Sequence, residues 1–221
     1  MTRELVPSDS SESGSRLTAA LDAFPVIGIL RGCPPEHVLP IAAGAAKGGL
    51  TVIEVTLDSP EPMRGIEEIT SSIPGLVVGA GTVHGPDEAL AAAEAGAAFI
   101  VSPHTDTETM AACREAGLPA LPGAATPSEI VRAVDLGAFA VKVFPAAQLG
   151  GPGFLKAVMA PLGRPRLVPT GGVDMGNASG YLRVGAIAVG LGSSVFSIEA
   201  LRYGNGYVIE RNVRDLQEAL G

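Results

Sequence analysis

From Phe24 onward the chain keeps one rhythm. A short β-branched run is followed by an Ala-rich stretch with helical spacing, then a glycine, then another run. The runs are Phe24–Leu30, Thr51–Leu57, Leu76–Ala80, Ala98–Val101, Pro119–Pro122, Phe139–Phe144, Arg166–Pro169 and Ala186–Gly190. Helices are expected at Pro35–Gly48, Pro86–Ala95, Thr107–Ala116 and Thr126–Leu136, where glycines close every stretch and prolines open all but Thr107–Ala116. Alternating strands and helices imply a parallel sheet with helical crossovers. Eight such runs point to an α/β fold of the TIM type, a single (β/α)8 barrel with a parallel eight-stranded core. An open doubly wound sheet fits less well, since no Gly-x-Gly-x-x-Gly turn follows the first run.

Within this pattern the barrel domain spans residues 16–221, and the polar, Ser-rich residues 1–15 read as a disordered lead-in. The core must be aliphatic, because 47% of the residues are hydrophobic but only 4% aromatic. A formal charge of −8 argues against a general partner among nucleic acids or anionic membranes, which need Lys and Arg clusters. The two cysteines, Cys33 and Cys113, lie far apart with no metal-type spacing, which fits free thiols in a reducing, cytoplasmic setting. No apolar run reaches the ~18 residues that read as a membrane span.

Chemistry enters at Lys142, inside the apolar run Ala138-Phe139-Ala140-Val141-Lys142-Val143-Phe144-Pro145. Strand alternation puts Lys142 on one face with Ala138, Ala140 and Phe144, and Phe139, Val141 and Val143 on the other. Desolvation among such neighbours is expected to lower an ammonium's pKa, and an amine that sheds its proton attacks carbonyl carbon. The bland alternative is a buried stem whose head reaches water. Glu54, in Val52-Ile53-Glu54-Val55-Thr56, is the other charge inside a strand interior. If both point inward they are partners. A functional pair is favoured over a structural one, because a buried ion pair is a weak stabiliser. Glu54 is then the general acid/base.

The seventh and eighth runs end in Gly171-Gly172 and Gly192-Ser193. Loops after those strands are the recurrent phosphate site of this architecture, and glycines let backbone N–H groups approach an anion. Arg31 is a candidate carboxylate anchor, with a rim pairing to Asp58 or Glu61 as its alternative, and Thr82 offers a hydroxyl to the same carboxylate. His37, His84 and His104 do not cluster in sequence, although His104 lies beside a strand end. No His/Asp/Glu spacing suggests a divalent metal site.

Six segments together resemble one family. They are Ile29-Leu30-Arg31-Gly32, Glu54-Val55-Thr56-Leu57, Gly79-Ala80-Gly81-Thr82-Val83, Val101-Ser102-Pro103-His104, Lys142-Val143-Phe144-Pro145 and Val168-Pro169-Thr170-Gly171-Gly172-Val173. In order and at consistent spacing over about residues 23 to 200, they resemble the 2-keto-3-deoxy-6-phosphogluconate (KDPG) / 4-hydroxy-2-oxoglutarate (KHG) aldolases. The resemblance implies a class I aldolase, with Lys142 forming a Schiff base, Glu54 shuttling protons and Thr82 in the pyruvate pocket. It places phosphate at Gly171, Gly172 and Ser193. Pro103 and Phe144, carried on these segments, and Gly192, beside Ser193, complete the substrate-binding candidates. A soluble homotrimer acting on a small phosphorylated keto acid is implied too. One departure matters. Some members carry a carboxylate-binding arginine where this chain has Asp58, and Arg31 stands in its place as in other branches, including enzymes of the galactonate isomer. The expected reaction is cleavage of KDPG to pyruvate and glyceraldehyde 3-phosphate, with cleavage of 4-hydroxy-2-oxoglutarate to pyruvate and glyoxylate as a further activity. The alternatives are the phosphogalactonate isomer, a phosphosugar epimerase or isomerase, and a non-catalytic phosphosugar-binding barrel.

Overall fold

The structure, a computed structural model, describes residues 11–221. Each of the eight runs holds a strand. The strands are β1 (Val26–Leu30), β2 (Val52–Thr56), β3 (Val77–Gly81), β4 (Ile100–Val101), β5 (Ala120–Leu121), β6 (Gly123–Ala124), β7 (Val141–Val143), β8 (Leu167–Pro169) and β9 (Val189–Leu191). The fifth run holds β5, and β6 lies just past it, outside every expected run; Pro122 between them has no N–H to donate to a ladder. All pairings are parallel. One sheet runs β5-β4-β3-β2-β1-β9 and curves as a half-barrel, and a second runs β6-β7-β8. Backbone bonds link the two sheets at both ends: Phe139 N–H donates to the Ala120 carbonyl and Ile187 N–H to the Leu167 carbonyl, with a parallel bridge between Thr170 and Gly190.

The crossovers follow the punctuation. A 3₁₀ turn at Pro35–His37 leads into α2 (Val38–Gly48), and α4 (Pro86–Glu94), α5 (Thr107–Glu115) and α6 (Pro127–Asp135) fall on the expected stretches. Thr126 and Glu129 form a reciprocal capping box that starts α6, satisfying two orphan donors of its first turn. The remaining helices are α3 (Pro62–Ser72), α7 (Gly151–Met159), α8 (Ala178–Arg183), α9 (Ile198–Arg202) and α10 (Gly206–Leu220).

Two expectations need correction. Residues 11–15 do not belong to a lead-in. Ser11 caps α1 (Glu12–Ala23) by accepting from Gly14 N–H, and residues 1–10 lie outside the described residues. The apolar stripe of α1, Leu17 and Leu21, is fully buried against Ile27, Val52, Val77, Phe99, Phe139 and Val168. That helix closes the N-terminal ends of the strands. Thr51 Oγ1 donates to Ala20 C=O at 2.8 Å, and the Arg16 guanidinium to Pro74 C=O at 2.8 Å. The second correction concerns Phe139. It joins the inner cluster together with Ala140, while Ala138 packs outward with Val141 and Val143. Strict alternation holds only within extended backbone, and β7 begins at Val141, after a turn at Gly137.

Candidate active site

At the C-terminal ends of the strands the inner face opens into a cavity of about 840 Å³. Arg31 follows β1, Glu54 lies in β2, Thr82 follows β3, Pro103 follows β4, Lys142 lies in β7, and Phe144 follows it. Gly171 and Gly172 follow β8, and Gly192 and Ser193 follow β9. All ten candidates from the sequence line this one cavity. The parallel topology explains the convergence, since it delivers every strand's C-terminal end to the same side.

Glu54 and Lys142 are its buried charges, 2% and 5% exposed. Burial pushes the Glu54 carboxyl above the usual range. The charges of Lys142 and Arg31 pull it down, and Asp58 pushes it up. The Glu54 Oε1 atom is buried with no hydrogen-bond partner among the described residues. The two side chains face the same cavity without an ion pair within 4.0 Å. Gly81 makes room for the carboxylate, because a Cβ there would sit 2.7 Å from Oε1. The Lys142 ammonium lies 5.3 Å from the centre of the Phe144 ring, which is 40% exposed and forms a wall.

Arg31 takes the rim pairing given as its alternative and also lines the cavity. It pairs with Asp58, and its other terminal nitrogen donates to Thr82 Oγ1 at 3.0 Å. Thr82 holds φ 60, a left-handed conformation unusual for a β-branched residue, and backbone of that kind concentrates at functional sites. Gly171 and Gly172 also have positive φ, at 89 and 71. A Cβ on Gly172 would meet Ala147 Cβ at 2.4 Å, so that turn accepts only glycine. Among the described residues, the N–H groups of Gly172, Ser193 and Ser194 donate to no protein acceptor.

Sequence reasoning missed Thr170, Asp174, Ser194, Phe196 and Ile198, which also line the cavity. Ser194 could have been suspected from its place beside Ser193. Phe196 and Ile198 look like ordinary helix-entry residues. His84 lines the cavity, and His104, the histidine beside a strand end, stacks on it with ring centres 6.2 Å apart. Burial pushes the Cys33 thiol up to about 12 and the Cys113 thiol up to about 11, which disfavours the thiolate form a nucleophile needs. Among the described residues no group of three His, Cys, Asp or Glu side chains is arranged for a metal ion, and no helix is long and apolar enough to cross a membrane.

An α/β domain in which a buried lysine and a buried carboxylate face one cavity beside glycine turns has the features of an enzyme active site. The chain belongs to the KDPG and KHG aldolase family, whose model matches residues 17–211. It is 37% identical over 195 residues to the 2-dehydro-3-deoxy-phosphogluconate aldolase of Pseudomonas aeruginosa, covering 88% of this chain and 87% of that one. It is 34% identical over 198 residues to the KHG/KDPG aldolase of Escherichia coli, covering 90% and 93%. Its fold superposes on the KDPG aldolase of Legionella pneumophila with a TM-score of 0.84 and 32% identity, over 92% of this chain and 97% of that one. That protein was captured with pyruvate as a covalent carbinolamine.

Proposed function

We propose that this protein is a class I aldolase that cleaves 2-keto-3-deoxy-6-phosphogluconate to pyruvate and glyceraldehyde 3-phosphate. The observation that carries the reading is the placement of Lys142 and Glu54, both buried, in one cavity with the two glycine turns at its edge. In its uncharged form the Lys142 amine attacks the C2 carbonyl, giving a carbinolamine that loses water to an iminium. The iminium is the electron sink. Glu54 takes the proton of the C4 hydroxyl, directly or through one water. The C3–C4 bond breaks, and its electron pair forms an enamine on Lys142. Glyceraldehyde 3-phosphate leaves, Glu54 returns its proton to C3, and water hydrolyses the iminium to free pyruvate and the amine. A carboxyl raised by burial suits this shuttle, because proton transfer works best when the pKa approaches the working pH.

Arg31 and Thr82 hold the carboxylate of the keto acid, with Pro103 and Phe144 as apolar walls. Gly171, Gly172, Gly192 and Ser193 hold the phosphate, and the undonated N–H groups of Gly172 and Ser193 favour that role. Neither metal nor organic cofactor takes part. Closure of the two sheets into one eight-stranded (β/α)8 ring is part of the proposal, supported by the backbone bonds that join them at both ends. So are a homotrimeric assembly in the cytoplasm and turnover of 4-hydroxy-2-oxoglutarate. The pairing of Arg31 with Asp58 favours a second reading, in which the phosphogalactonate epimer at C4 is the better substrate; assaying both epimers separates the two.

Incubation with pyruvate and borohydride, digestion and mass spectrometry test the mechanism. A reduced pyruvyl adduct on Lys142 is expected. No adduct, or one on Lys47 or Lys156 alone, removes the aldolase assignment.

A further inference from the structure

The two turns at the phosphate end of the cavity are each held from behind by an asparagine that does not line it. After β8, Asn177 Nδ2 donates to the Gly172 carbonyl at 2.9 Å, and Asn177 Oδ1 accepts from Asp174 N–H at 3.1 Å. After β9, the N–H groups of Val195 and Phe196 both donate back to the Gly192 carbonyl, at 3.0 and 2.9 Å. Asn212 Nδ2 donates to the Val195 carbonyl at 2.9 Å. With those carbonyls tied outward and those N–H groups consumed, the N–H groups of Gly172, Ser193 and Ser194 remain, on residues that line the cavity. The Ser194 hydroxyl is buried and has no partner among the described residues, a costly state in the absence of an anion.

Asn212 comes from α10, which is docked too closely to slide. A Cβ on Gly44 of α2 would lie 2.1 Å from the Gly206 carbonyl oxygen, and one on Gly206 would lie 2.3 Å from that of Pro40. Helix α10 is therefore a fixed post from which Asn212 reaches the turn after β9.

We propose that Asn212, with Asn177 as its counterpart after β8, is a positioning residue for the phosphate end of the substrate. It fixes the Gly192–Phe196 turn so that the Ser193 and Ser194 N–H groups converge on the anion, and a χ1 rotation of Ser194 adds its hydroxyl. This rests on the aldolase reading above and assigns a task to a C-terminal helix that carries no catalytic group. Asn212 acts on binding of the phosphorylated end and not on carbon–carbon cleavage, so its loss appears in KM.

The test uses the full chain carrying Asn212→Leu and, as a near-isosteric variant that lacks the donor, Asn212→Asp. Four quantities are measured: KM and kcat for the phosphorylated keto-deoxy acid, the inhibition constant of inorganic phosphate, the rate of pyruvate adduct formation on Lys142 under borohydride, and the melting temperature. Both variants are expected to raise KM and the phosphate inhibition constant in parallel, by about tenfold, the scale of one lost hydrogen bond. The kcat and the adduct rate should stay within about twofold, well below the effect of a lost catalytic contact. Unchanged KM and unchanged phosphate inhibition in both variants overturn the proposal. So does a fall in the adduct rate as large as the rise in KM, which marks a merely structural residue. Failure of the underlying reading looks different, since wild-type protein then forms no Lys142 adduct at all.

Discussion

At the N-terminal ends of the strands the inner face holds Ile27, Val52, Val77, Ala140, Val168 and Ala188. Two residues further along the same strands and their extensions it holds Ile29, Glu54, Gly79, Lys142, Thr170 and Gly190. The first layer is sealed by Leu17 and Leu21 of α1, with Phe99 and Phe139 filling its middle. The second is open, and all of its members except Gly79 line the cavity. One step of strand periodicity thus separates a layer that stabilises from a layer that reacts. Buried charges and glycines are tolerable at the mouth because the closed end supplies apolar burial, at about 25 cal/mol per Å², to offset them. The glycines keep the inner volume free for a substrate.

The comparison breaks most sharply at Lys142. Lys142→Ala should lower turnover by about 10⁴-fold or more, as expected for a nucleophile acting in a unit. Its melting temperature should be no lower than that of the wild type, because a buried charge is removed from the open layer. Steady-state cleavage assays and thermal melts check both halves. Retained turnover contradicts the role given to Lys142, and a collapsed fold contradicts the division into layers.

Glu54→Gln sharpens it. Turnover should fall by about 10²–10⁴-fold, the range for a lost general acid/base. Stability should move the other way. Glu54 has a folded-state pKa raised by burial, so the folded chain holds its proton more tightly than the unfolded chain does. Its contribution is fully present below the unfolded value near 4.3 and is lost as pH rises through the folded value. The variant should therefore melt above the wild type at neutral pH, with the gap closing as the buffer is acidified through that window. A gap independent of pH would count against the burial of Glu54.

The closed layer should behave in the opposite sense. Phe99 is fully buried, and Phe99→Ala should cost about 3–5 kcal/mol by denaturant titration, as large-to-small core changes do. Its folded fraction should keep kcat within about threefold, since Phe99 does not line the cavity and the second-layer residue it meets, Gly79, does not line it either. Loss of kcat beyond that would mean the two layers are coupled.

Much of this was legible in the chain. The Thr126 capping box, the glycine stops and the β-branched runs placed four helices and eight strand regions to within about three residues and missed only β6 among the strands, because caps, φ restrictions and side-chain alternation act over a few residues. The same local signals marked Lys142 and Glu54 as charges out of place. Alternation overreached at Phe139, where the backbone was not yet extended, and the Ser-rich start concealed α1, whose short apolar stripe has meaning only when the ends of the strands lie beneath it.

The sequence by itself determined the kind of unit repeated here, the parallel sense of the strands and the residue types able to do chemistry, since these follow from backbone preference and residue identity. Tertiary structure alone decided that ten residues spread from Arg31 to Ser193 share one cavity, that Arg31 is divided between Asp58 and Thr82, and that Asn212 reaches a turn 17 residues before it. Convergence of this kind depends on burial and hydrogen bonding between residues distant in the chain. Those terms exist only once the layers have packed.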